Sequence, residues 1–259
     1  KNKEAGIKNV ILSYRSKVET IDYPFEYKVT RSGDHYIIDA QIDMSVLSLE
    51  ELFWDVFAVT EKNGEEVRVS AYWSRWQRLK LLLMNYQCDV DKEHIIFPYS
   101  TITCKMAFTY RTRSKYDGFD VKIKELVAFG VYTLLLPYWK KKRVWLVFEK
   151  FCSMAQDNGY YFFKYCMEQL PKEKKQHIYY ILDTDSADYD KMKQYGKHVI
   201  PFMSFRHILY SLVANLYIAS DSKKHLYTWR AKPNVISNRI SKHNILFLQH
   251  GVTALKRVH

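Results

Sequence analysis

The sequence of 259 residues predicts a parallel α/β domain preceded by an antiparallel β-sandwich-like domain. Three observations predict it. Residues 1–120 hold short runs rich in β-branched and aromatic residues separated by turn residues, the pattern of half-buried antiparallel strands. From Val144 onward, short continuous apolar runs alternate with helix-period segments, as in parallel strands joined by crossover helices. Between these regions, 121–143 reads as a helical basic linker.

In the first region, Phe25 to Thr30 and His35 to Ile42 flank the turn residues Arg31-Ser32-Gly33-Asp34. Phe53 to Thr60 and Val67 to Tyr72 flank Lys62-Asn63-Gly64, whose Asn-Gly pair suits the left-handed backbone of a tight hairpin. His94 to Pro98 and Thr103 to Tyr110 form a further pair, and short strands at this spacing suggest a sandwich. Arg111 to Asp120 is a polar connection. Val121 to Tyr138 is apolar nearly all round, with Leu126, Gly130, Val131 and Leu134 on one face, which predicts a buried helix. The basic run Lys140-Lys141-Lys142-Arg143 follows it.

In the second region, strands are expected at Val144 to Phe148, His177 to Leu182, His198 to Pro201, Leu216 to Ser220 and Ile245 to Gln249. Helices are expected at Gly159 to Leu170, stopped by Pro171, at Asp188 to Tyr195, closed by Gly196, and at Pro233 to Ser241. Ser204 is the expected N-cap of a helix running to Val213.

The net charge of +12 favours anionic partners: nucleic acid, an acidic membrane surface or a phosphate-rich substrate. Cys88, Cys104, Cys152 and Cys166 form no CxxC pair and have no His at zinc-ligand spacing. Neither a disulfide framework nor a metal or cofactor site is therefore expected, and unpatterned thiols fit a reducing cytosol. The longest apolar run, Leu126 to Trp139, is broken by Gly130 and Pro137 and is shorter than the roughly 20 residues of a spanning helix.

Parallel sheets bind ligands in the loops at the carboxyl ends of their strands. Three such loops stand out: Gln156-Asp157-Asn158-Gly159, Ser220-Asp221-Ser222-Lys223-Lys224 and Gln249-His250-Gly251. A His directly after a buried strand is placed to take a proton from an attacking hydroxyl, with Gly251 free to turn the backbone; the alternative is a polar residue that merely ends the strand. The helix start at Asp157 offers N–H groups to a phosphate, or is simply capped by the Asp. Lys223, Lys224 and Arg230 follow the fourth strand, and Lys256 and Arg257 the fifth. Such cations are either solvated surface or a grip on a phosphate chain. Lys140 to Arg143 reads equally as a charged turn or as a contact to anionic lipid.

Several stretches between Trp145 and His259 resemble the CDP-glycerol:glycerophosphate glycerophosphotransferase family of teichoic acid and capsule polymerases. They are Ala155-Gln156-Asp157-Asn158-Gly159-Tyr160 with Phe162-Phe163-Lys164-Tyr165, then Tyr179-Tyr180-Ile181-Leu182-Asp183, Ile218-Ala219-Ser220, and Phe247-Leu248-Gln249-His250-Gly251-Val252. The resemblance implies that 144–259 is the first, acceptor-side Rossmann-like half of a GT-B-type fold, that 1–120 is an accessory β-domain, and that the chain is part of a longer protein whose second half grips CDP.

It also implies His250 as general base, with Asp157, Asn158, Gly159, Ser220, Lys223, Lys224, Arg230, Gln249, Gly251, Lys256 and Arg257 on the substrate side. The donor would be CDP-glycerol, the acceptor a polyol-phosphate polymer, and the location the cytoplasmic, inner face of an anionic membrane. A CDP-ribitol or capsule polyol-phosphate or sugar transferase on the same fold is the first rival. A noncatalytic nucleic-acid-binding protein is the second; the charge and the 16% aromatic content favour it. The lack of an RNA-binding aromatic motif and the placing of aromatics in apolar segments argue against nucleic acid.

Overall fold

The computed structural model of the protein describes residues 6–228 and 231–249. The chain divides into two compact units, Lys1–Ser114 and Lys115–His259. In the first, the strands are β1 (Ile7–Tyr14), β2 (Asp22–Pro24), β3 (Glu26–Ser32), β4 (His35–Gln41), β5 (Leu52–Lys62), β6 (Glu65–Ser70), β7 (Cys88–Asp89), β8 (His94–Ser100) and β9 (Met106–Thr112), with one helix, α1 (Arg75–Leu83).

Seven of these strands form one antiparallel sheet in the order β2-β1-β5-β9-β8-β7, with β6 paired to β5; β3 and β4 form a separate ladder. The sandwich expected from the sequence is thus lopsided: outside the main sheet, the core of Val10, Leu12, Trp54 and Ile96 is covered by Tyr27 and Ile38 of the β3–β4 hairpin and by loop residues such as Met44, Leu47 and Leu49. Asn63 and Gly64 take φ of 55° and 83°, the left-handed pair that the tight turn between β5 and β6 requires. The sequence reading missed β1, although Val10, Ile11 and Leu12 are all buried beside β5.

The second unit contains α2 (Phe119–Leu134), α3 (Leu136–Trp139), β10 (Trp145–Phe148), α4 (Asn158–Gln169), α5 (Lys172–Lys175), β11 (Ile178–Leu182), α6 (Tyr189–Met192), β12 (Val199–Pro201), α7 (Phe205–Val213), β13 (Leu216–Ala219), α8 (Val235–Ile240) and β14 (Ile245–Phe247). Its five strands make a fully parallel sheet in the order β12-β11-β10-β13-β14. Successive residues of a strand face opposite sides, so the continuous apolar runs supply two cores at once. Leu146, Phe148, Ile181, Tyr217 and Ala219 pack with residues of α2, α7 and α8. Val147, Tyr180, Leu182 and Ile218 pack with Phe163 and Met167 of α4.

Helix α2 departs in part from the buried helix read from its sequence: Val131 packs on the core, but Leu126 and Leu134 of the same expected face do not. It buries Val121, Lys122, Glu125 and Ala128, while Ile123, Leu126, Val127 and Leu134 are exposed. The reason is a polar network beneath it. Glu125 accepts hydrogen bonds from the Tyr227 hydroxyl and, at 3.1 Å, from Asn234 Nδ2, and Lys122 Nζ lies 3.6 Å from its carboxylate. Burial raises the Glu125 carboxyl, with Tyr227 and Lys122 opposing, and lowers the Lys122 ammonium. A charged pair this buried is tolerated only when its remaining polar atoms find partners, and Tyr227 and Asn234 provide them. Among the described residues, no helix is long and apolar enough to cross a membrane.

Candidate functional site

The parallel sheet has one place where strand order reverses. From β10 the chain adds β11 and then β12 on one side, and crosses back to add β13 and β14 on the other. The loops leaving β10 and β13 therefore part company, and the crevice between them is where such sheets bind ligands. Phe148 pairs with Ala219 at the ends of these strands, so Glu149 and Ser220 are the first residues beyond the switch.

Glu149 is 1% exposed and turns back on the start of α4. One carboxylate oxygen accepts the N–H groups of Asp157 (2.9 Å) and Tyr160 (2.8 Å), and the other accepts that of Gln156 (3.0 Å). Burial pushes the Glu149 carboxyl above its ordinary value, against the opposing pull of these three N–H groups. A carboxylate of the chain itself thus occupies the end of α4 where the sequence offered a phosphate site. Asp157 acts as the N-cap, accepting the Asn158 N–H at 2.8 Å. Its other oxygen accepts the Ser220 hydroxyl at 2.8 Å, which ties the α4 start to the end of β13.

Gly159 belongs to the same contact as a spacer. A Cβ there would meet Glu149 Cγ at 3.1 Å and the Phe148 carbonyl at 3.3 Å, so the absent side chain lets α4 approach the end of β10. Asn158 donates from Nδ2 to the Gln249 carbonyl. Leu248 N–H donates to Ala219 O at 2.8 Å, carrying the pairing of β14 past its last strand residue. Asp157, Asn158, Ser220 and Gln249, drawn from three separate loops, are thereby brought together.

The connection from β10 to α4 is braced from below. Phe151 and Cys152 take φ of 55° and 53°, a left-handed turn that costs side-chain-bearing residues energy and needs support. His225 supplies it: its Nδ1 accepts the Phe151 N–H at 3.3 Å, its ring packs edge-to-face with the Phe151 ring, centroids 4.3 Å apart, and its carbonyl accepts the Cys152 thiol. With Nδ1 accepting, the ring proton sits on Nε2, 3.3 Å from Asp221 Oδ1. Burial raises the Cys152 thiol far above its ordinary range, and Asp183 and Glu149 add to this, so the group is inert as a nucleophile.

Asp188 accepts the Ala155 N–H at 2.8 Å and pairs with Lys191 at 2.8 Å. Burial alone would raise Asp188, but these partners and the Gln156 amide outweigh it and hold it below its ordinary value. The sequence reading passed over Glu149, Asp188 and His225. Position signals two of them: Glu149 directly follows a buried strand, and His225 lies four residues after Asp221 just beyond another; Asp188, six residues past β11, carries no such signal.

Lys223 is held by structure. Its Nζ donates to the carbonyls of Ser241 and His243, the latter at 3.1 Å, fastening the turn after β13 to the segment that leads into β14. Lys224 is exposed beside it. Arg230, His250, Gly251, Lys256 and Arg257 lie outside the described residues. Among the described residues, no cluster of three or more His, Cys, Asp or Glu is arranged to hold a metal ion.

No family model and no solved structure matches the chain. The minor teichoic acid biosynthesis protein GgaB of Bacillus subtilis (strain 168) is 34% identical to it over 135 residues, covering 51% of this chain and 14% of that protein. The chain therefore spans a small fraction of the length of the relative it matches. About half of this chain is therefore similar to a small part of a bacterial teichoic acid biosynthesis protein.

Proposed function

We propose that the protein transfers glycerol phosphate from CDP-glycerol to the terminal hydroxyl of a teichoic-acid-type polymer, with the second unit forming the acceptor-side half of a GT-B-type fold. The observation that carries this reading is the joining of Asp157, Ser220, Asn158 and the Gln249 carbonyl at the switch point, immediately before His250. Hydroxyl, amide and carboxylate groups set side by side at a sheet edge are suited to orienting a polyol. His250 takes the proton of the acceptor hydroxyl, whose oxygen forms a bond to the β-phosphorus of CDP-glycerol. The bond from that phosphorus to the bridging oxygen breaks, and CMP leaves with the electron pair. Lys224, Arg230, Lys256 and Arg257 offset the charge of the polymer's phosphates.

Asp157 and Ser220 orient the acceptor, and Glu149 holds the loop that carries Asp157. The basic run at 140–143 and the exposed Leu134, Leu135 and Tyr138 hold the protein peripherally at the inner face of the membrane, where the polymer grows. The test is release of CMP and incorporation of labelled glycerol phosphate by the full-length protein with and without His250→Ala. Loss of a general base lowers the rate by about 10²–10⁴-fold. Near-normal turnover with an unchanged circular dichroism spectrum removes His250 from the chemistry.

A further inference from the structure

The second unit contains a cavity of about 270 Å³ at the amino-terminal edge of its sheet, bordered by Asn215 and Asn244, the residues just before β13 and β14. This is the opposite edge from Ser220, so the cavity is separate from the switch-point crevice. Its lining contains Lys140, Arg239 and Lys242 and no Asp or Glu. Among the described residues, none of these three cations is in an ion pair. Arg239 is aimed by a 3.2 Å hydrogen bond from Nη2 to the Tyr132 hydroxyl and by the Tyr132 ring beneath its guanidinium.

Two further lining residues, Trp139 and His243, each carry a buried ring nitrogen, Nε1 and Nε2, with no partner among the described residues. His243 is kept neutral, its pKa lowered to about 4 by burial first and then by Arg239 and Lys223. The lining thus combines three cations with no carboxylate to offset them, the complement of an anionic group.

Size narrows the ligand. Pockets for drug-sized molecules run from about 300 to 1,000 Å³, so a pocket of about 270 Å³ matches a phosphate with a short arm. Leu136, Leu212 and Val213 give the arm an apolar wall.

We propose that this cavity is a binding site for a small phosphate ester, with Arg239, Lys140 and Lys242 holding the phosphate. The same chemistry is offered by a soluble polyol phosphate and by a phosphoglycerol lipid headgroup. The test is calorimetric titration of the full chain with glycerol 3-phosphate, with glycerol as control, and with nanodiscs of phosphatidylglycerol against phosphatidylcholine.

The expected result is saturable binding of glycerol 3-phosphate but not glycerol, weakened about tenfold or more by K140Q/R239Q/K242Q. Asp157→Asn and His250→Ala leave it unchanged, which separates this site from the proposed acceptor site. Saturable binding to phosphatidylglycerol discs alone, lost in the same variants, assigns the site to a lipid headgroup. No saturable binding to either probe overturns the proposal, as does affinity that K140Q/R239Q/K242Q leaves unchanged. The three cations are exposed, and the single Lys242→Glu variant, which must also weaken binding, serves if the triple variant melts early.

Discussion

The Glu149 carboxylate is wedged between Gly159 and the end of β10, where a Cβ on Gly159 would lie 3.1 Å from Glu149 Cγ and 3.3 Å from its Oε1. Three backbone N–H groups hold that carboxylate, so it cannot give way. Gly to Ala inside a helix ordinarily stabilises by about 1 kcal/mol. Here the sign reverses: Gly159→Ala is expected to cost about 1–3 kcal/mol, as overpacking does. Glu149→Gln, which keeps the shape but loses the charge and one acceptor, is expected to lower the urea midpoint too. A Gly159→Ala protein more stable than the parent would show that the contact is slack.

Asp157 and Ser220 join two loops, and their hydrogen bond is measurable by a double-mutant cycle. Asp157→Ala removes the cap of α4 as well as the bond and should cost about 1–2 kcal/mol. Ser220→Ala should cost about 1 kcal/mol, with a coupling of about 1 kcal/mol between the two. Additive effects in urea unfolding would mean that the bond contributes nothing.

Acid should unfold the second unit through two histidines. Burial lowers His207 to about 3, and burial with Arg239 and Lys223 lowers His243 to about 4. Both folded values lie below the ordinary 6.5, so as pH falls past 6.5 the unfolded chain takes up protons that the folded chain refuses. The stability present above that pH is lost progressively toward the folded values, at up to ~1.4 kcal/mol per pH unit for the fully buried His207. His207 Nδ1 accepts the Met203 N–H at 3.0 Å. His207→Asn keeps an acceptor near that place and removes the titration. Urea midpoints between about pH 7.5 and 5.5 should fall less steeply in the variant, and equal slopes would exclude His207 as the sensor.

The parallel sheet was legible because continuous apolar runs and helical periods are local properties. Predicted strands such as Val144 to Phe148 and Leu216 to Ser220 match β10 and β13 within a residue. Periodicity failed at α2, where Lys122 and Glu125 face inward. Tyr227 and Asn234, a hundred residues away in sequence, satisfy Glu125, and no local pattern reports a distant partner. The β-sandwich was only half legible for the same reason, since strand spacing does not say which strands share a sheet. In the candidate site, the three loops followed from the strand ends. The filling of the α4 start by Glu149 did not, because it depends on how the chain turns at Phe151 and Cys152.

Membrane contact follows from what α2 and α3 leave uncovered. Leu134 is 82% exposed, and Leu135 and Tyr138 are also exposed, next to Lys140, Lys141, Lys142 and Arg143. Each basic residue near an anionic surface contributes about 1 kcal/mol, and salt screens this attraction within about 10 Å at 0.1 M. The protein should float with phosphatidylglycerol vesicles and not with phosphatidylcholine ones. Raising the salt to about 0.5 M should release most of it if charge dominates. A K141Q/K142Q/R143Q variant, which leaves the cavity lysine Lys140 in place, should bind vesicles several-fold more weakly. Leu134→Ser with Tyr138→Ser should lower the part that survives in high salt, because that part depends on apolar area entering the lipid. Equal flotation with neutral and anionic vesicles, or binding indifferent to both sets of substitutions, would remove this surface from membrane contact.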